Sequence, residues 1–175
     1  MKNLNLFVAC LLVSVLFFSC DKSKIIKNFT GSTFDGTSKG CGSFFVYKFN
    51  SDQKLAITVG GQRDDLNLST SEQVFDLENT VGLNVGITQF NKDAISYYCN
   101  DVIEDGGPNP IHDWVGQSGT VRIQITEDSI DVNEYQVTYK LSVKLEDVEF
   151  TDTDGNTQEV DAAEFSDVLV GWLPG

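Results

Sequence analysis

Apolar and polar side chains alternate one by one along much of this chain, and this period of two is the strongest constraint on its fold. The alternating runs cover residues 55–59, 81–88, 121–126 and 137–145. A β-strand directs successive side chains to opposite faces, so such runs predict strands with one buried face. Residues 43–49 are almost wholly apolar and aromatic, which predicts a strand covered on both faces.

Turn-forming residues separate these runs at short spacing. They lie at 50–52, 60–61, 91–93 and 128–129, and shorter strand candidates lie at 74–77 and 168–172. About nine strands joined in this way predict an all-β domain, an antiparallel β-sandwich of immunoglobulin-like or jelly-roll-like type, with a barrel as the alternative. Helix signals are sparse, and the capping-box spacing of Asp161 and Glu164 predicts one helical turn.

The apolar phase changes within one predicted strand. Leu145 has an odd number, whereas Val148 and Phe150 have even numbers, so a regular strand would turn the last two away from the core. A β-bulge at Glu146-Asp147 would restore their burial. The strand is followed by Asp-Thr-Asp-Gly at 152–155, which predicts a tight turn with positive φ at its glycine.

The start of the chain has the layout of a secretory leader. Lys2 precedes an apolar run over residues 6–18, and Ser19-Cys20 closes it. A helix of that length spans about 20 Å, less than the ~30 Å hydrocarbon core of a bilayer, which disfavours a membrane-spanning helix. The leader predicts export from the cytoplasm.

Residues 16–20, Leu-Phe-Phe-Ser-Cys, resemble the lipobox of bacterial lipoproteins, with Phe17 where leucine is usual. The resemblance implies cleavage before Cys20 and acylation of Cys20 by chains such as palmitate, which would anchor the protein in a membrane. An ordinary leader with an incidental Cys20, or a retained anchor, are the alternatives. The expected organisation is a signal peptide at 1–19, a flexible Gly/Ser/Thr-rich tether at 20–40 and the β-sandwich domain at 41–175.

As a whole, the chain resembles small Bacteroidetes-type lipoproteins that carry an all-β domain of unknown activity. This resemblance implies a lipid-anchored protein of the bacterial outer membrane, on its periplasmic side or at the cell surface. Residues 21–24 lack the acidic run that marks surface export in such proteins, which favours the periplasmic side.

Two cysteines remain after the leader and the acylated position are set aside. Cys41 and Cys99 in an exported chain predict one disulfide, with two separate buried thiols as the alternative. In the chain-entropy model, the loop closed by this bridge would stabilise the folded protein by about 4 kcal/mol. Neither cysteine belongs to a CxxC pair, and the only histidine is His112, so a metal centre on these thiols is not expected.

Acidic residues concentrate in the second half of the chain. Residues 101–175 hold 17 acidic and three basic side chains, whereas residues 20–100 hold nine acidic and eight basic ones. Such a surface repels nucleic acid, which excludes it as a partner. It keeps an exported domain soluble, and binding of a cation or a basic partner is the alternative interpretation.

Catalytic motifs are lacking in the sequence. His112 is the sole histidine, no serine stands in a GxSxG motif, and no pair of carboxylates stands out among the many. The chain is therefore expected not to be an enzyme.

Three weaker patterns suggest sites. Residues 101–114 are the longest stretch without strand period, and the aromatic side chains just before it and at its end predict ligand contact by Tyr97, Tyr98 and Trp114, with a core position as the alternative for Tyr97 and Trp114. The alternating oxygen ligands Asp152, Asp154 and Asn156 predict a calcium site, with a plain hairpin turn as the alternative. Asp-Ser-Ile at 128–130 resembles the O-glycan acceptor of Bacteroidetes, which implies glycosylation of Ser129.

The expected function is a non-catalytic binding or scaffold module of the cell envelope. Its membrane contact would be the lipid anchor, and its partner a glycan or an envelope protein. No cofactor is expected apart from calcium. The alternatives are a calcium-stabilised adhesion domain and a hydrolase acting on glycan or peptide.

Overall fold

A computed structural model describes residues 29–102, 105–133 and 136–173, and over this part of the chain the protein is all-β, as predicted. A single 3₁₀ turn, Gly31–Thr33, precedes the first strand. The strands of the described residues are β1 (Lys39–Cys41), β2 (Phe44–Phe49), β3 (Leu55–Gly61), β4 (Gln73–Asp76), β5 (Asn84–Phe90), β6 (Pro110–Asn133), β7 (Gln136–Asp152) and β8 (Thr157–Val170). In these ranges no helix is long and apolar enough to pass through a membrane.

The strands form one curled antiparallel sheet. Their order is β1-β2-β3-β5-β6-β7-β8, and β4 pairs with β6 outside this path. The curl brings the two ends of the sheet together, because the Gly42 N–H donates to the Trp172 carbonyl and the Gly171 N–H donates to the Gly42 carbonyl, each at 2.7 Å. The strands belong to one continuous sheet, and its division into the two layers of a sandwich stays a prediction.

The inner face of the curled sheet holds the main core. Strand alternation places one large apolar side chain from each successive strand inside, and these are Ile57, Ile87, Trp114, Leu141 and Phe165. Burial of each such side chain contributes about 1.5–3 kcal/mol. The predicted double coverage of β2 is confirmed, since Phe44 and Val46 join this core while Tyr47 and Phe49 belong to a second cluster on the outer face.

The predicted bulge in β7 is present. Thr120 and Ser118 of β6 pair with Glu146 and Glu149 of β7, so residues 147–148 lie opposite the single Gly119. Asp147 adopts φ of 50°, and Val148 and Phe150 are fully buried, as the phase change required. Gly119 is needed here, because a Cβ at this position would lie 2.6 Å from the Asp147 carbonyl oxygen. Gly155 also has the predicted positive φ, 81°.

Several local predictions are wrong. The turn predicted at 60–61 is the end of β3, where Gly60 pairs with Phe45 of β2 and Asn84 of β5. The strand predicted from residue 81 begins only at Asn84, and Val81 is exposed in the preceding turn. The turn predicted at 128–129 is a bulge inside β6, where Ser129 has φ of 56° and the register with β7 shifts between Glu127 and Ile130. The helical turn predicted at 161–164 lies inside β8, and Ala163 pairs with Leu145 of β7. At 60–61, 128–129 and 161–164, pairing along a neighbouring strand overrides a local signal of the kind that otherwise marks a turn or a helix start.

The predicted tether differs from the structure over residues 29–40. Phe29 and Phe34 are buried in the main core, and Phe29 stacks edge-on against Trp114 with ring centroids 5.3 Å apart. Their two rings supply enough apolar area to order a segment whose composition is otherwise polar and glycine-rich. The leader at 1–19, the lipidation position Cys20 and the rest of the tether, 20–28, lie outside the described residues.

Candidate functional site

The predicted disulfide between Cys41 and Cys99 is confirmed. It joins β1 to the segment that follows β5, and the two Cα atoms are 5.8 Å apart. The bridge therefore holds residues 91–99 against the outer face of the sheet. It is one of several contacts that tie the middle of this segment to the sheet.

Aromatic side chains form a second contact between this segment and the sheet. The outer aromatic cluster consists of Phe45, Tyr47, Phe49, Phe90 and Tyr98. The ring of Tyr98 lies 5.1–6.0 Å from each of the other four rings. Each such pair contributes about 0.5–1.5 kcal/mol beyond simple burial, so the cluster fixes the loop as firmly as the disulfide does.

The base of the loop is closed by hydrogen bonds between its two ends. The Asn91 N–H donates to the Asn109 carbonyl, and the Asn109 N–H returns a bond to Asn91 Oδ1, both at 3.0 Å. The Ala94 N–H donates to the Gln53 carbonyl at 2.9 Å, and Ala94 is fully buried. Residues 91–109 thus start and finish at one place on the outer face.

A cleft of about 610 Å³ opens within this loop, and we call it the loop cleft. Its walls combine apolar and amide groups, and they include Ser96, Tyr97, Asn100, Val102, Pro108 and Asn109. Tyr97 is 40% exposed and its ring rests 4.7 Å from that of Phe90, while Val102 is 63% exposed. The size and mixed lining are those of a small-ligand site.

The structure separates the three aromatic residues that were predicted to contact ligand. Tyr97 lines the loop cleft, and Tyr98 lies beside it in the outer aromatic cluster. Trp114 is 2% exposed and belongs to the main core on the opposite face of the sheet, so it takes the alternative position that its size favours.

A chain of polar groups runs from Tyr98 across two strands. The Tyr98 hydroxyl shares a hydrogen bond with the Thr88 side chain, and the Thr88 hydroxyl donates to Asp113 Oδ1 at 2.7 Å. Burial raises the pKa of Tyr98 to about 12, although the hydrogen bond with Thr88 lowers it, so the phenol stays protonated at neutral pH. The sequence gives no signal for this chain, because only the register of β5 with β6 brings Thr88 beside Asp113.

His112 lies in a different environment from the loop cleft. Its Nε2 is 3.1 Å from Asp152 Oδ2, both side chains are nearly buried, and the imidazole packs 4.3 Å from the Trp114 ring. This pair joins the start of β6 to the end of β7. We therefore assign His112 a structural role, which is to join the two strands at one end of the main core.

The residues predicted to bind calcium form a hairpin turn. Asp152 Oδ1 accepts the N–H groups of Asp154 and Asn156, at 2.9 and 2.8 Å, and Oδ2 accepts the Asn156 amide at 2.8 Å. The carboxylate is thereby occupied by donors, whereas calcium needs open oxygens. Over the described ranges, no group of three or more His, Cys, Asp or Glu side chains could hold a metal ion.

Ser129, the predicted glycosylation position, lies on the surface of β6. Its Oγ is 3.5 Å from Asp128 Oδ1, and that carboxylate also receives Arg63 at 2.9 Å. The hydroxyl is exposed and thus open to modification, and its glycosylation stays a prediction.

Comparisons with known proteins give no relative for this chain. No family model matches it, and searches of the curated proteins and of the solved structures found no significant match.

Proposed function

We propose that this protein is a lipid-anchored, non-catalytic binding module of the bacterial cell envelope, and that its ligand occupies the loop cleft. The observation that carries the proposal is the cleft itself, about 610 Å³ with half-exposed Tyr97 in its wall. A mobile surface loop would lose binding energy when it becomes ordered around a ligand. Here the disulfide and the outer aromatic cluster fix in advance the wall of the cleft that carries Tyr97, since Tyr98 and Cys99 are tied to the sheet.

Two further features support the assignment. The net charge of −14 favours a neutral or basic ligand over an anionic one. The curled antiparallel sheet also encloses one core, which supports the expected sandwich framework, and such frameworks present binding loops on rigid strands. The lipid anchor would keep this surface at a membrane, on the periplasmic side or outside the cell.

Binding to arrays of neutral glycans and of envelope peptides tests the proposal. The full-length protein in detergent should bind a restricted set, and Tyr97→Ala should weaken that binding about tenfold, because a stacked aromatic contact contributes about 1–1.5 kcal/mol. Val81→Ala is the matched control, since Val81 is exposed in the turn before β5. Equal binding by the Tyr97 variant and the wild type would refute the loop cleft as the site.

A further inference from the structure

The outer face of β5 and β6 continues directly from the loop cleft. Ile87 and Trp114 point into the main core, so their neighbours Gly86, Thr88, Asp113 and Val115 face outwards. We call these four residues the β5–β6 strip. Val115 is 56% exposed, Asp113 is also exposed, and Thr88 and Gly86 are half-buried.

Register places the strip beside the cleft. Phe90 pairs with Pro110, Thr88 with Asp113 and Gly86 with Val115, and Pro110 itself lines the loop cleft. Successive pairs on one face of a strand are about 7 Å apart, so the strip extends the cleft by about 14 Å. The strip therefore offers a ligand seated against Tyr97 a continuous surface along the sheet.

The strip offers hydrogen-bonding groups that are already oriented. Asp113 is held by the Thr88 hydroxyl, which in turn contacts the Tyr98 hydroxyl. The bond from Thr88 occupies one oxygen of the carboxylate, and carboxylate oxygens can each accept more than one donor. Gly86 lies between Thr58 of β3 and Val115 of β6, and because it has no side chain the surface is recessed at this point. Its carbonyl accepts a hydrogen bond from Thr58 Oγ1 at 3.3 Å.

A peptide strand would find little to bind here. β5 is hydrogen-bonded to β3 on one side and to β6 on the other, and β6 is bonded to β5 and β7 at this level. Backbone groups in the strip are therefore already paired, whereas peptide recognition by strand addition requires an open sheet edge. Recognition must use the hydroxyl, the carboxylate and the apolar side chain.

We propose that the β5–β6 strip is a second subsite for a neutral glycan chain whose first part lies in the loop cleft, an inference that rests on the proposed function. Sugar hydroxyls would donate to Asp113, and the C–H face of a ring would rest on Val115. The Asp113 charge, within a strongly acidic protein, would repel uronic acids and phosphorylated sugars.

The test uses full-length protein in detergent and an array of neutral oligosaccharides of increasing length, with uronic-acid oligomers as the anionic set. We expect binding to neutral members that strengthens with length, and no binding to the anionic set. Asp113→Ala should weaken binding of the long members about tenfold, as loss of a hydrogen bond to a charged group does. Val115→Glu should also weaken this binding, because it replaces the apolar surface under the sugar ring with a charge. Asp161→Asn is the control, since it removes an exposed carboxylate on β8, outside the strip.

The outcomes separate the two proposals. Loss of binding in Tyr97→Ala, with unchanged binding in Asp113→Ala and Val115→Glu, would overturn the strip and leave the loop cleft standing. Binding to peptides alone, or to anionic glycans as strongly as to neutral ones, would overturn the glycan assignment. Tyr97-independent binding would instead remove the proposed function on which the strip depends. Thermal melts exclude misfolding as the cause of a loss: those of Asp113→Ala, Val115→Glu and Asp161→Asn should match the wild type, and that of Tyr97→Ala should stay cooperative and fall only by the loss of its ring contacts with Phe90 and Tyr98.

Discussion

At the scale of single residues, Asp152 shows how one side chain can secure a turn. Its carboxylate accepts hydrogen bonds from the Asn156 side chain and from the N–H groups of Asn156 and Asp154, and it contacts His112. These bonds, the Asn156 amide above all, lower the pKa of Asp152 from its ordinary value of 3.8 to about 2. The same residue looked like a calcium ligand in the sequence, because oxygen-rich turns and calcium loops share their composition.

This lowered pKa predicts a pH dependence of stability. A carboxyl with a lower pKa in the folded protein stabilises it at pH values above the unfolded pKa, and the contribution disappears as the pH falls from about 4 to about 2. Asp152→Asn should therefore lower the melting temperature at pH 7, and the difference from the wild type should shrink over that acidic interval. Thermal melts followed by circular dichroism measure this.

Asp161→Asn serves as the comparison for the turn carboxylate, because Asp161 is an exposed residue of the neighbouring strand β8. Its melting temperature should stay close to that of the wild type at every pH. A constant difference between Asp152→Asn and the wild type from pH 7 down to pH 2 would contradict the assigned role of the Asp152 charge.

At the scale of elements, strand periodicity was more informative than local signals, since the turn predicted at 152–155 is present whereas the turns or helical turn predicted at 60–61, 128–129 and 161–164 are strand. The alternation of Leu141, Val143 and Leu145 predicted the buried face of β7, and the later phase change at Val148 predicted its bulge. The turn signal at Ser129 failed because β6 and β7 pair far beyond the core, and this pairing absorbs a turn-favouring residue as a bulge. Such pairing depends on distant residues, which a window along the sequence does not see.

The segment between β5 and β6 depends on its disulfide. Replacing both Cys41 and Cys99 with serine should lower the free energy of unfolding by about 2–5 kcal/mol, since the open chain gains conformational freedom in the unfolded state. Urea unfolding measures this loss, and a dithiol reductant should produce a similar loss in the wild type. Hydrogen exchange at residues 91–99 should rise in the double variant.

The same reductant provides the control, because it should leave the serine variant unchanged. Ligand binding in the loop cleft should weaken along with the loop's protection, since Tyr97 and Cys99 belong to the same tied segment. Unfolding curves that coincide for the wild type and the double variant would show that the outer aromatic cluster alone holds the segment.

At the scale of the whole molecule, the sequence singled out the neighbourhood of the cleft but not the strip beside it. The stretch at 101–114 drew attention to the nearby Tyr97, which lines the cleft, because long stretches without strand period are uncommon on β frameworks. Thr88 and Asp113 are 25 residues apart and unremarkable in composition, and only the curled sheet makes them neighbours. The same long-range packing converts Phe29 and Phe34 from members of a polar segment into core residues.

Burial of Phe29 also sets the length of any membrane tether. If Cys20 is acylated, only the eight residues 21–28 lie between the lipid-bearing cysteine and Phe29, and a fully extended chain from Cys20 to Phe29 reaches about 30 Å. The domain would then stay close to the bilayer surface. We predict that the mature protein begins at Cys20, has lost residues 1–19, carries acyl chains at its N-terminus and partitions into the detergent phase.

Intact-mass and N-terminal peptide mass spectrometry measure the processing, and phase partition measures the anchor. Cys20→Ser should retain the leader, because cleavage in lipoproteins requires the cysteine, whereas Cys10→Ser, which changes only the leader's apolar run, should be processed normally. An N-terminus at another residue without acyl chains would leave the β domain intact but detach it from the membrane. The short reach between lipid and core would then no longer confine the loop cleft to the bilayer surface, and its ligand would have to be sought among soluble components as well.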